Sequence, residues 1–148
     1  MLDQTMILGV GIIMPISRIV TIATLSTALV LGSTTAASAG TGGTTSTKLS
    51  NGRLSFEARN GSVVSGNSSV FYGATQYEKT GGHKVSVMLK METSEAVFKD
   101  TEKSVSKGQK VSHSFGGQSI AKYAPDCTAT GRMDATTGTY YTPPITFC

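Results

Sequence analysis

Apolar and polar residues alternate along much of the chain after Lys48, most cleanly from Lys84 to Glu92. There Val85, Val87, Leu89 and Met91 fall on one side. Lys84, Ser86, Lys90 and Glu92 fall on the other, with Met88 the one exception. A period of two places one face in a core and the other in water, as in a half-buried antiparallel strand. Leu54, Phe56 and Ala58 repeat the pattern against Ser55, Glu57 and Arg59, and Val111, His113 and Phe115 repeat it against Lys110, Ser112 and Ser114. Ser69 to Tyr77 is aromatic and β-branched with both faces partly apolar, which predicts a strand inside a sheet.

The breaks between these runs are turn residues. Asn60-Gly61 predicts a tight hairpin joining 54–59 to a strand over 62–65, because both central positions of such a turn need positive φ. Gly66-Asn67, Thr80-Gly81-Gly82, Lys107-Gly108 and Gly116-Gly117 end further runs. Ala96-Val97-Phe98 reads as a short strand or one helical turn, and Ser119 to Ala124 as a short strand before Pro125-Asp126. Thr128 to Met133 and Thr139 to Thr142 flank Ala135-Thr136-Thr137-Gly138, so a C-terminal hairpin is expected with Gly138 closing its loop. Folding the chain back there brings Cys127 beside Cys148 to within a residue or two of facing register. Pro143-Pro144 supplies the bulge or bend that absorbs the difference. A bridge closing that loop contributes roughly 3 kcal/mol in the chain-entropy account. Many short strands and no amphipathic helix predict an all-β fold, a small antiparallel β-sandwich or open barrel, over residues 48–148.

The N-terminal part reads differently. Ile19 to Gly32 is an apolar run preceded by Arg18 and followed by Ala37-Ser38-Ala39, the order of parts in a signal peptide. Cleavage is expected after Ala39, which makes 1–39 a leader and the working protein secreted. Met14 is an alternative start, since Met14 to Arg18 would open a leader of ordinary length. The rival is membrane anchoring by an uncleaved leader. Ile7 to Leu31 approaches the roughly 20 apolar residues of a span, but Pro15, Ser17 and Arg18 interrupt it. Gly40 to Thr47 is Gly/Thr-rich and is expected to be a flexible segment.

Composition adds modest constraints. The net charge is +4, and its lysines and arginines are scattered without a run of five. Such a surface aids solubility or favours an anionic envelope component, a glycan or another secreted protein, and it does not point to nucleic acid. Two cysteines in an exported chain predict a disulfide, within the chain only as Cys127–Cys148, with a bridge between two chains as the alternative. His83 and His113, thirty positions apart without paired carboxylates, make a poor metal signature. His113 reads as a half-buried histidine with a satisfied hydrogen bond, and His83 as a solvated turn residue. The acids are scattered, the glycine pairs lack a strand-to-helix context, and no nucleophile motif occurs, so no catalytic residue and no cofactor is assigned.

The remaining chemistry is recognition. An exposed tyrosine beside a cation is a fair contact spot, which points to Lys84, Lys90, Arg132, Tyr140 and Tyr141, with one of the two adjacent tyrosines outside. The expected function is a non-enzymatic binding module at or outside the cell surface. The alternative is a secreted antagonist, either a cationic antibacterial protein or a hydrolase inhibitor using Thr137 to Pro144 as its loop.

Overall fold

The alternating segments pair into two antiparallel sheets laid face to face, a small β-sandwich. The computed structural model describes residues 40–148, so the leader and cleavage readings lie outside the described residues. In chain order the strands are β1 (Gly42–Leu49), β2 (Gly52–Asn60), β3 (Val70–Lys79), β4 (Val85–Thr93), β5 (Val97–Lys99), β6 (Lys103–Val105), β7 (Lys110–Ser119), β8 (Thr128–Ala135), β9 (Gly138–Tyr141) and β10 (Ile145–Thr146). One sheet has the order β1-β2-β3-β7. The other is built on β4 and β8, with β5 and β6 along one side of β4 and β9 and β10 along one side of β8. Two single-turn helices, α1 (Gly61–Val64) and α2 (Ile120–Tyr123), connect strands at one end.

Both outer strands of the second sheet are broken in the same way. Lys90 faces Lys99 while Val85 faces Val105, a register offset of one residue across Asp100–Glu102. Arg132 faces Tyr141 while Ala129 faces Ile145, the same offset across the Pro143-Pro144 region. Short, interrupted edges bearing proline and lysine offer another chain no long ladder to pair with.

Four local expectations are corrected. Gly42–Leu49 is not a flexible segment: every residue of it is in register with β2, from Gly42 opposite Arg59 to Leu49 opposite Gly52. Its stabilising contacts come from the other sheet. Thr45 Oγ1 donates to the Pro143 carbonyl at 2.9 Å and Thr47 Oγ1 to the Tyr141 carbonyl at 2.7 Å. Asn60-Gly61 is not a two-residue hairpin. The Asn60 side chain caps α1 by accepting from Ser62 N at 2.9 Å, and residues 62–64 are helical rather than extended. Asparagine serves a cap as readily as a turn, so the dipeptide alone does not decide. Gly116-Gly117 does not end its strand but forms a bulge within β7, between Tyr72–Gly117 and Ala74–Ser114 pairing. Ser119 to Ala124 is a helical turn capped by Ser119, not a strand.

The core lies between the sheets in two clusters. Phe56, Phe71, Met91, Phe115, Ile145 and Phe147 fill the end nearer the disulfide. Leu54, Tyr77, Val87, Leu89, Val105 and Met133 fill the other end. Two glycines set how closely the sheets approach. A Cβ on Gly131 of β8 would lie 2.5 Å from Phe56 Cβ, and one on Gly73 of β3 would lie 2.2 Å from Met91 Sδ. Each sheet thus presents a gap that receives a large side chain of the other, in line with the close packing of protein interiors. Thr75, buried on β3, donates across the core to the Lys90 carbonyl at 2.8 Å.

The C-terminus is tied by covalent and packing contacts together. Cys127 and Cys148 form a disulfide with Cα atoms 5.5 Å apart. Phe147 N donates to the Cys127 carbonyl at 3.0 Å, and the fully buried Phe147 ring stacks on Phe71 with centroids 4.5 Å apart.

Candidate functional site

The outer face of the second sheet carries the densest set of polar contacts. Pairing across β5, β4, β8 and β9 aligns Lys99, Lys90, Arg132 and Tyr141 in one row. Cations directly opposite one another repel unless counter-charges stand beside them. They do: Glu92 and Asp134 lie two residues further along β4 and β8, on the same face. Arg132 Nη1 reaches Glu92 Oε2 at 3.2 Å, Arg132 Nε reaches Asp134 Oδ1 at 2.9 Å, and Lys90 Nζ binds Asp134 Oδ2. Thr139 Oγ1 adds a donor to Asp134 Oδ1 at 3.1 Å.

These contacts set the ionisation of the cluster. Burial pushes the Asp134 carboxyl upward, but hydrogen bonds from Lys90, Arg132 and Thr139 and the Lys90 charge outweigh it and bring it down to about 2. Hydrogen bonds to Asp134 and then Glu92 raise Arg132 further above its already high value. The guanidinium lies 5.6 Å from the centroid of the Tyr141 ring, within the range of a cation–π contact. Tyr141 is 46% exposed, so the ring presents an open face on a base held by charge pairs.

The five contact residues expected from sequence divide. Lys90, Arg132 and Tyr141 come together. Lys90, expected to face water freely, is buried instead because Asp134 takes its ammonium. Tyr140 is half-buried against the core, its hydroxyl donating to Thr137 Oγ1 at 3.1 Å. Lys84 is exposed before β4, about 20 Å along the strand direction from Lys90 at the ordinary rise per residue. Glu92 and Asp134 were missed. The signal that finds them is the repeated spacing in Lys90-x-Glu92 and Arg132-x-Asp134, which puts cation and acid on one strand face. Of the stretch Thr137 to Pro144 named for an inhibitor, Gly138–Tyr141 is laid along β8 as β9.

A second polar cluster pins β7 to the broken edge. His113 Nδ1 lies 3.1 Å from Asp100 Oδ1, and the His113 ring meets Phe115 edge-on at 4.8 Å. Burial raises the Asp100 carboxyl, but hydrogen bonds from Lys103 and the Thr101 N–H, with the His113 and Lys103 charges, hold it below its ordinary value. Among the described residues no hydroxyl bonds to His113, and no three His, Cys, Asp or Glu side chains gather as a metal site needs. His113 is thus part-buried beside a carboxylate, and among the described residues its ring makes no hydrogen bond, so the satisfied hydrogen bond expected from the strand pattern is not found.

The chain matches no known protein-family model, no curated protein and no solved structure.

Proposed function

We propose that this chain is a secreted, non-enzymatic binding module acting at or outside the cell surface, with the outer face of the second sheet as its contact. The observation that carries the reading is Tyr141, an exposed ring over an arginine that two carboxylates immobilise. A pre-ordered aromatic–guanidinium pair loses little side-chain freedom on binding, which is what makes such residues effective anchors. The row holds three cations, Lys99, Lys90 and Arg132, against the two acids Glu92 and Asp134. This near-balance favours a glycan or a secreted protein over a strongly anionic surface, because little unpaired charge remains to attract one.

The test is binding of fluorescently labelled protein to intact cells and cell-surface fractions of the producing organism. Tyr141→Ala is expected to weaken binding at least about tenfold while leaving the unfolding midpoint unchanged, and Lys84→Ala is expected to leave binding intact. Binding that ignores Tyr141→Ala but collapses in high salt would refute the reading in favour of a cationic antagonist.

A further inference from the structure

A different feature sits at the end of the sandwich away from the disulfide. A cavity of about 100 Å³ opens between the β1–β2 turn, the end of β3, the start of β4 and the β8–β9 hairpin. One wall is apolar, made by Leu49, Val85 and Met133. The other includes Tyr77, Lys79 and Tyr140.

Lys79 is unusual in this setting. It continues the inward register of Phe71, Thr75 and Tyr77 on β3, and only 2% of its surface reaches solvent. Its stem is enclosed but its ammonium is not sealed off: among the described residues Asp100 Oδ2 is the one fully enclosed side-chain polar atom without a partner, so Lys79 Nζ and the Tyr77 hydroxyl keep open surface, as side chains lining the cavity would. Lys90, the other buried lysine, has Asp134. Among the described residues Lys79 has no carboxylate and no hydrogen-bond acceptor on its side chain, and no acid lines the cavity. Tyr77 is in the same condition. It is 4% exposed, and among the described residues its hydroxyl has no hydrogen-bond partner. Burial, with Tyr140 nearby, raises its pKa, so the hydroxyl keeps its proton and remains a donor at neutral pH. Room for the ring is made by Gly52, where a Cβ would lie 2.7 Å from Tyr77 Cε2.

We infer that this cavity is a binding site for a carboxylate carrying a short aliphatic chain, with Lys79 and Tyr77 as its polar anchors. A carboxylate has two acceptor oxygens, one for the ammonium and one for the phenol. One cation balances a monoanion, whereas a phosphate dianion would be left short of charge and donors. The apolar wall suits a few methylene groups. A water occupies roughly 30 Å³ of liquid, so the volume accepts a molecule between acetate and butyrate in size. The same group ends a free short-chain acid or a peptide with a small apolar C-terminal residue. This site is independent of the Tyr141 face and stands or falls without it.

The experiment is a titration of the ¹⁵N-labelled, disulfide-bonded protein, following the amides of Asn51, Lys79, Ala135 and Tyr140. Butyrate is expected to shift them saturably with Kd on the order of 1 mM, and neutral butyramide is not. Lys79→Met keeps the stem and removes the charge, and is expected to weaken binding at least about tenfold. Tyr77→Phe removes one hydroxyl and is expected to weaken it severalfold, which keeps the site testable should Lys79→Met not fold. A dipeptide ending in alanine or valine, as free acid and as amide, identifies the source: tighter binding of the acid than of butyrate assigns a peptide terminus, and the reverse a free acid. Absence of saturable shifts at about 50 mM butyrate and dipeptide acid, equal response to butyramide, or undiminished affinity in either variant would overturn the inference. Binding here with Tyr141→Ala present leaves this site standing whatever becomes of the outer face.

Discussion

Replacing Asp134 by asparagine keeps the shape of the side chain and removes one charge from the cation row. The carboxyl is at about 2 in the folded protein against 3.8 as its unperturbed value. That difference corresponds to about 2.4 kcal/mol if all of it reflected folded-state contacts. The Asp134 side chain is 31% exposed, so screening by water reduces the expected contribution to about 1–2 kcal/mol. The loss falls chiefly on Lys90, whose side chain is only 10% exposed and would face a neutral amide. The sign of the pH dependence follows from the direction of the shift. A carboxyl held below its unfolded value stabilises the fold above about pH 4, and that contribution drains away as the pH falls toward 2. Urea unfolding at pH 6 should therefore show Asp134→Asn less stable than the parent by about 1–2 kcal/mol. At pH 2.5 the gap should shrink to about a third of that, because the unfolded carboxyl is by then almost wholly protonated and must give up its proton on folding, although the folded carboxyl is still largely ionised. An equal gap at both pH values, or none at pH 6, would refute the account of Asp134 as the counter-charge of the row.

Other outcomes follow from the packing. Gly131→Ala should cost about 2–3 kcal/mol, because its Cβ would meet the rigid root of the Phe56 side chain. Gly73→Ala should cost about 1 kcal/mol, since the Met91 thioether can swing aside. Urea midpoints of the two variants check the order, and a reversed order would show that the gap at Gly131 is not what sets the sheet approach. Removing the disulfide by Cys127→Ser with Cys148→Ser should cost about 3 kcal/mol for a bridge spanning 21 residues, read from the same unfolding curves. A loss near zero would mean that Phe147 alone secures the terminus.

Much of the architecture was legible because it depends on a local period. The alternation in Val85–Met91 and Leu54–Ala58 can bury itself only by pairing in sheets; Leu54, Phe56, Ala58, Val87, Leu89 and Met91 are found inside and Val85 packs at the core's margin. The C-terminal hairpin was legible for a related reason, since Gly138 marks where the chain returns, and folding back there puts the two cysteines within reach of each other. Turn chemistry was less decisive. Asn60 and Ser119 each cap a helical turn where strands were expected, and nothing within those segments distinguishes a cap from a tight turn.

The sequence by itself determined which residues seek a core and that they do so as strands; that Cys127 and Cys148 bridge within one chain came from the structure. Only the tertiary structure decided that Gly42–Leu49 is a strand, because its threonines bond to carbonyls 94 and 98 positions away. It also decided which charges are spent and which are not. Lys90 and Lys79 both read as ordinary lysines along the chain, yet one is buried on Asp134 and the other in a cavity without an acid. A side chain's period says which way it points, but the partner that meets it there comes from another strand, and strand order is a long-range property that no local pattern encodes.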